Sequence, residues 1–344
     1  MSEFQLPVFL VFIIGLLISL GLNKYSLNFK KYFNHEKKDS EVRLSNLKVP
    51  TFGGISMSIA FLLSTRLLGK VDTEIKQIAF YAVFITFIGF IDDKYNLNWK
   101  LKLSLQFFAV SMPIYLLDLF LNVEKLIGIN FNNNLNLLFT IIWIILLVNS
   151  LNFLDNMDGL AATTATMIAV SLAILSFITN QYKLTDISII LVASMLGFLF
   201  YNLPDAKLYM GDSGSLFIGY CLGFISVLFS WNPNIESSWI FQIQPVILFF
   251  TIPIIDFVTV VISRIKKGTS PMTGGTDHIS HRLLKKGYSN VQVLIIFVIM
   301  SLIVLFVTMG ILFLNQTLSY IFLMVYGFLV IITLIYFLKL ETLD

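Results

Sequence analysis

Apolar residues run along this chain in long blocks with few polar interruptions, and the blocks recur at membrane-spanning length. A helix of about 17 to 25 apolar residues can cross the hydrocarbon core of a bilayer. About eleven such segments can be drawn, over roughly 6–22, 51–69, 76–91, 103–121, 135–151, 159–179, 185–203, 214–230, 240–262, 291–314 and 318–338. The third is short and its borders are the least defined. The pattern predicts an all-α fold, a polytopic transmembrane helical bundle. No soluble domain, low-complexity tract or internal repeat interrupts it, so residues 1–344 read as a single integral-membrane domain.

Polar residues gather where the blocks meet. The stretch NSLNFLDNMDGLAA, residues 149–162, carries Asp155, Asp158, Asn149, Asn152 and Asn156 at the end of one apolar run, and the next begins at Leu160. Polar side chains between membrane-length segments are expensive unless they face protein or water. If the run stays helical, the three amides fall at i, i+3 and i+7 on one face. Gly159 would let the chain turn where the helix stops. A polar loop with ordinary capping residues is the competing explanation.

Other junctions repeat the theme. Before the second segment, EVRLSNLKVPTFGGI holds Lys48 at the membrane surface, placed to meet a phosphate or simply to snorkel, with Pro50 and the Gly53-Gly54 pair behind it. The third segment ends in Asp92 and Asp93, followed by Lys94, Lys100 and Lys102. Two adjacent carboxylates suit a divalent cation or an acid-base pair, or are solvated loop charge. In YNLPDAKLYMGDSGSLFIGY, Asp212 stands where a helix begins, as an N-cap or as a metal ligand beside a phosphate. Asn202 closes the segment before it. Asp256 lies inside the ninth segment, where it should be paired and structural, and Arg264 reads as an interface anchor. The last polar loop has His278 and His281 at i, i+3, with Asp277 before and Arg282 after. Zinc would need more nitrogen or sulfur ligands, so phosphate contact fits this loop better. His35 has no evident task.

Charge orients the bundle. If the loop over 23–50 is cytoplasmic, 18 of the 23 Lys and Arg residues fall on that side, which puts the amino terminus outside and the carboxyl terminus inside. The first apolar run lacks a basic leader and a small-residue cleavage site and reads as a retained helix. The chain is 57% hydrophobic and 12% charged, too apolar for an ordinary soluble globule. A net charge of +3 gives no case for nucleic acid, though a basic inner face suits an anionic substrate or lipid headgroups of the bilayer. The single Cys221 reads as a small buried hydrophobe. With this orientation Asp92, Asp93, Asp155, Asp158, Asp212, Lys48, His278 and His281 all fall on the cytoplasmic face. Carboxylates opposite cations there suggest Mg²⁺-assisted phosphate chemistry at the membrane surface.

In their order, KVPTFGG, GFIDDKYNL with KLKLSLQ, NSLNFLDNMDGLAA, YNLPDAKLYMGDSGS, PIIDFVTVVISR and DHISHRL, spread over about 43–283, resemble the polyprenyl-phosphate N-acetylhexosamine-1-phosphate transferases. The resemblance implies transfer of a sugar 1-phosphate from a UDP-N-acetylhexosamine to undecaprenyl phosphate at the cytoplasmic side of the inner membrane. UMP would leave, and Mg²⁺ or Mn²⁺ would serve as cofactor. It implies that Asp92 and Asp93 position or deprotonate the lipid phosphate and that Asp155 is the acid of the central motif. It makes Asp212, with Asp155, a metal ligand, and Lys48 a catalytic cation. Asn149, Asn152, Asn202, His278, His281 and Arg282 become substrate-binding residues. The departures are Ser280, Asn46 and Asn156, where relatives often carry histidine, histidine and glycine; they bear on sugar identity more than on reaction type. The segment count and DHISHRL look more like the branch that primes cell-envelope polysaccharides from UDP-N-acetylglucosamine than the peptidoglycan branch. A homodimer is left open. A transporter would hold its acids near the midplane in repeated halves, and neither feature is present.

Overall fold

The computed structural model describes residues 7–29, 49–69, 72–121, 133–231, 244–271 and 274–340, and every regular element among them is helical. In chain order these are α1 (Val8–Ser26), extended by a 3₁₀ turn at Leu27–Phe29, α2 (Gly53–Leu67), α3 (Thr73–Tyr95), α4 (Trp99–Leu116), α5 (Asn133–Leu154), α6 (Leu160–Ile178) and α7 (Tyr182–Asn202). They continue as α8 (Gly211–Trp231), α9 (Gln244–Phe249), α10 (Thr251–Lys266), α11 (Ile279–Lys285), α12 (Asn290–Phe313) and α13 (Gln316–Lys339).

Each of the eleven apolar segments read from the sequence contains helix, but only eight helices among the described residues are individually long and apolar enough to cross a bilayer. The other three fall short for separate reasons. α2 has 15 residues, about 22 Å at 1.5 Å per residue against a core of about 30 Å. α4 opens with Lys100 and Lys102 in its first turn. The ninth segment is broken at Phe250 into α9 and α10. Pro253 explains the break: it has no N–H to give the Phe249 carbonyl, and its ring would collide with that carbonyl in a continuous helix.

α8 is the centre of the bundle and packs against α2, α3, α5 and α6. Its sequence is apolar all round, as a fully enclosed helix requires, and Phe217, Tyr220, Phe224 and Phe229 are among the largest fully buried side chains. Small residues let its neighbours come close. A Cβ at Gly54 of α2 would stand 2.1 Å from the Gly214 amide nitrogen, so the expected close approach of the Gly53-Gly54 pair is to α8. The same junction is stitched by backbone bonds from Gly53 and Gly54 to the Tyr209 and Met210 carbonyls (3.0 and 3.1 Å). At the periphery, α13 exposes Phe322, Phe328, Ile332 and Ile335, which is the composition of a lipid-facing helix.

Candidate active site

The polar residues converge at one end of the bundle, where α3, α5, α7 and α10 finish and α4 and α8 begin. α3 stops at Asn96, which takes a left-handed conformation with φ 49°, a geometry asparagine tolerates better than most residues. Its amide bonds back to the Asp92 carbonyl at 2.9 Å. The Asp92 carboxylate then accepts from the Leu97 amide through Oδ1 (2.8 Å), holding the turn closed. Asn98 caps α4 by accepting from the Lys100 amide. The result brings Lys102, in the first turn of α4, back over the end of α3. Its Nζ donates to Asp92 Oδ2 at 2.9 Å and to Asp212 Oδ2 at 2.8 Å.

Asp93 points the other way, into the start of α8. Its two oxygens accept from the Asp212 amide (2.9 Å) and the Ser213 amide (3.1 Å). The sequence offered Asp212 as the N-cap of this helix or as a metal ligand; Asp93, from another helix, does the capping instead. The reason is Gly211, whose φ of +64° turns the chain so that the next two amides face Asp93. A Cβ there would come within 2.4 Å of Asp93 Oδ2, so the position admits only glycine without rearrangement. Asp212 is thereby free to project from the first helical turn, where Asn152 Nδ2 donates to its Oδ1 at 3.0 Å and to Ser215 Oγ at 2.8 Å.

The end of α5 supplies the amides. Asn149 and Asn152 share a face, as the spacing predicts. One turn deeper than Lys102, Asn149 Nδ2 donates to Gln106 Oε1 (2.9 Å) and to the Ile145 carbonyl (2.8 Å). Asn156 does not join them, because α5 ends at Leu154 and the chain turns through Asp155 to Gly159, the latter at φ 73°. Its Oδ1 accepts instead from Ser280 Oγ at 2.6 Å. Asp155 is half-buried in this turn. Asp158 accepts from the Ala206 amide (3.1 Å), and Asn202 bridges the Gly159 amide (3.1 Å) and the Leu208 carbonyl (2.9 Å). Asn202 therefore ties the two loops together and makes no direct bond to the Asp92–Lys102–Asp212 group among these contacts.

On the far side of Phe153 lies a second cluster. The Phe153 ring stands edge-on to His278, with centroids 6.1 Å apart, and the Arg264 guanidinium lies 5.6 Å from its centroid. His278 Nδ1 is 2.9 Å from Asp256 Oδ2, the partner that Asp256 was expected to need. His281, 5.9 Å from His278 between ring centroids, is fully buried. Its ring faces the Asn156 backbone, yet neither nitrogen is within hydrogen-bonding geometry of a partner. Burial first, and His278 second, push its imidazole down to about 4, so it is neutral at physiological pH.

Two arginines beside this cluster, Arg264 in α10 and Arg282 in α11, differ from expectation. Arg264 is buried and paired with Asp277 (3.2 Å), with NH1 donating to the Pro271 carbonyl (2.8 Å), so it is an internal strut and not an interface anchor. Burial alone would raise the Asp277 carboxyl, but hydrogen bonds from Lys267 and Arg264 hold it below the usual carboxylate range. Arg282, read as substrate-binding, is 3% exposed and donates to the Asp277, Phe337 and Leu340 carbonyls (2.8, 2.9 and 2.6 Å) and to Ser263 Oγ (2.6 Å). A guanidinium presents five N–H groups in a fixed fork, and here they lock the end of α13 onto α11. Lys48 lies outside the described residues.

Among the described residues no three His, Cys, Asp or Glu side chains close around a metal-sized point. The donor set still fits Mg²⁺, which uses one or two carboxylates and completes its shell with water and substrate phosphates. Asp212 offers hard oxygen held in place by Asn152 and Lys102. The residues that sequence reasoning passed over are Lys102 as the central cation, Gln106 and Ser215. Lys102 and Gln106 lie at i, i+4 in an otherwise apolar stretch, a signal that could have placed both on the inner face of α4.

Residues 76–230 match the model of glycosyl transferase family 4. The chain is 28% identical over 304 residues to a probable undecaprenyl-phosphate N-acetylglucosaminyl 1-phosphate transferase of Bacillus subtilis, covering 87% of this chain and 84% of that one. It is 28% identical over 283 residues to a decaprenyl-phosphate N-acetylglucosaminephosphotransferase of Mycolicibacterium smegmatis (74% and 70% covered). It is 30% identical over 221 residues to a phospho-N-acetylmuramoyl-pentapeptide-transferase of Lactiplantibacillus plantarum (58% and 69%). The matched span begins in α3 and ends in α8, the two helices that carry Asp92, Asp93 and Asp212, and with these relatives it makes the chain a member of the polyprenyl-phosphate N-acetylhexosamine-1-phosphate transferase family.

Proposed function

We propose that this enzyme transfers N-acetylglucosamine 1-phosphate from UDP-N-acetylglucosamine to undecaprenyl phosphate, releasing UMP and priming a cell-envelope polysaccharide. The observation that carries the reading is the Asp92–Lys102–Asp212 group, buttressed by Asp93 and Asn152 at the end of the bundle where α3 and α5 finish and α8 begins. Two carboxylates around one ammonium leave a net negative, oxygen-rich site, suited to a divalent cation that accompanies a nucleotide diphosphate. N-acetylglucosamine is favoured over the pentapeptide-bearing sugar because similarity to the B. subtilis relative covers 87% of this chain, against 58% to 76% for the phospho-N-acetylmuramoyl-pentapeptide-transferases.

In the proposed reaction an oxygen of the lipid phosphate attacks the β-phosphorus of the UDP-sugar. The bond from that phosphorus to the bridging oxygen breaks, and the sugar–phosphate bond survives. A phosphomonoester has its second pKa near 6, so the attacking oxygen is largely unprotonated at neutral pH and needs no strong base. Asp92 fits a positioning role better, because both its oxygens already accept hydrogen bonds. Lys102 keeps Asp92 and Asp212 together, and Asp93 fixes the start of α8 so that Asp212 stays aimed. Mg²⁺, or Mn²⁺, would be held by Asp212 with Asp155 and would neutralise charge on the diphosphate. His278 lies on the other side of Phe153, where it would meet the nucleotide-sugar phosphates, and His281, fully buried, stands beside its ring. In-line positioning and charge neutralisation are the main protein contributions that phosphoryl transfer requires.

Purified protein incubated with radiolabelled UDP-N-acetylglucosamine, Mg²⁺ and undecaprenyl phosphate tests the reading. It should yield a lipid-linked sugar phosphate and one UMP per product. Stoichiometric UDP would instead mean an ordinary glycosyltransferase.

A further inference from the structure

Asp256 is the one fully buried acid of the histidine cluster, and nothing in the phosphate chemistry above employs it. It sits inside α10, 0% exposed, with Oδ1 accepting from the Ile279 amide at 2.8 Å and Oδ2 at 2.9 Å from His278 Nδ1. Burying a carboxylate costs several kcal/mol unless its oxygens are well satisfied. Capping the first amide of α11 alone would not require a charge, since a neutral amide or hydroxyl oxygen does that elsewhere in this chain at Asn98 and Ser289.

The second contact explains the carboxylate. A carboxylate that only accepts hydrogen bonds receives the shared one from His278 Nδ1. With Nδ1 engaged by Asp256, Nε2 is the ring nitrogen directed away from it. The ring is further confined by the edge-on Phe153, with an interplanar angle of 79°, and by His281. We infer that Asp256 is a positioning residue for His278, fixing the orientation and Nδ1 protonation of its imidazole so that Nε2 is presented to the nucleotide-sugar phosphate. This rests on the reading of His278 as a phosphate contact. With a phosphate oxygen at Nε2 and Asp256 at Nδ1, both ring N–H groups have an acceptor. Asp256 itself touches no substrate, and its cap on Ile279 sets the position of the short helix that carries His281.

Asparagine is the informative replacement. Its oxygen can keep the Ile279 bond, but its –NH2 can only donate to His278 Nδ1, which holds the imidazole in the opposite tautomer with little change of geometry. Steady-state kinetics of the full-length enzyme should show Asp256→Asn lowering kcat/KM for the UDP-sugar by about 10- to 100-fold, by analogy with the loss of a group that orients a metal-bound imidazole. The loss should include a rise in the KM for the UDP-sugar with the KM for undecaprenyl phosphate near wild type, whereas a loss of folded enzyme lowers apparent kcat and moves neither KM. Combining Asp256→Asn with His278→Gln should cost no more than His278→Gln alone, because the two act as one unit. Normal kinetics for His278→Gln would overturn the phosphate assignment itself. An impaired His278→Gln enzyme whose losses multiply with those of Asp256→Asn would overturn the positioning role and leave that assignment standing. If Asp256→Asn does not fold, Asp256→Ser provides the same comparison with a smaller cap, and failure of both to fold would make Asp256 part of the scaffold only and overturn the inference.

Discussion

Lys102 carries more of the site than any other single residue, since one ammonium holds carboxylates from two helices. Removing it leaves Asp92 and Asp212 confronting each other in a largely buried setting, where breaking an ion pair is far more damaging than never having built one. Lys102→Met should therefore lower turnover at least about 100-fold and reduce the thermal unfolding temperature, measured by UMP release and a melting assay on detergent-solubilised protein. Turnover within a factor of two of wild type would remove Lys102 from the site. His281 supplies a different test. Its folded pKa lies near 4, below the ordinary value of 6.5, so between those values the unfolded chain binds a proton that the folded protein refuses. Stability from this group is complete above about pH 6.5 and falls as the pH drops toward 4. His281→Asn should flatten that part of the melting-temperature profile, and an unchanged slope would assign the loss to other groups. Of these residues the acids were visible in the sequence because charges between apolar blocks stand out. Lys102 was harder to single out because Lys94 and Lys100 beside it look the same in one dimension, and only the turn at Asn96 decides which lysine folds back.

At the scale of elements, the site depends on how α8 begins. Its first amides are capped from α3 and its second residue, Asp212, is the arm that α8 contributes to the cluster, so a change in the cap should move the chemistry. Gly211→Ala would force an L side chain into a left-handed backbone and against Asp93 Oδ2. A cost of about 1–3 kcal/mol follows, along with a loss of turnover larger than the stability change alone explains, read by comparing melting temperature with kcat. If activity survives in proportion to folded protein, Asp212 does not depend on this cap. The sequence pattern placed every apolar segment and the position of the Asp212 junction, but it offered Asp212 itself as the cap or as a metal ligand and did not offer Asp93 as the cap. Local spacing favours a nearby cap, and a carboxylate arriving from more than a hundred residues away leaves no local trace. The same limit hid the lock between Arg282 and the end of α13. Beside two histidines, an arginine looks like a phosphate ligand until the Phe337 and Leu340 carbonyls are seen around it.

For the whole molecule, the helix directions and the charge pattern lead to the same arrangement. α3, α5, α7, α10 and α13 end where α4, α8, α11 and α12 begin, and those junctions hold Asp92, Lys102, Asn152, Asp212, His278 and the Arg282 lock. The same end carries most of the Lys and Arg residues, which favours the cytoplasm for it. A UDP-sugar is made and held in the cytoplasm, so the proposed reaction requires that orientation. Single-cysteine labelling of intact cells tests it cleanly, because Cys221 is the only native cysteine and is buried in α8. With an impermeant maleimide, Tyr182→Cys, at the exposed start of α7, should label from outside. Lys266→Cys and Lys285→Cys, exposed at the ends of α10 and α11, should label only after permeabilisation. The reverse pattern would put the acids and histidines on the outer surface, away from any nucleotide sugar, and the proposed donor would have to be abandoned even if the family chemistry stood.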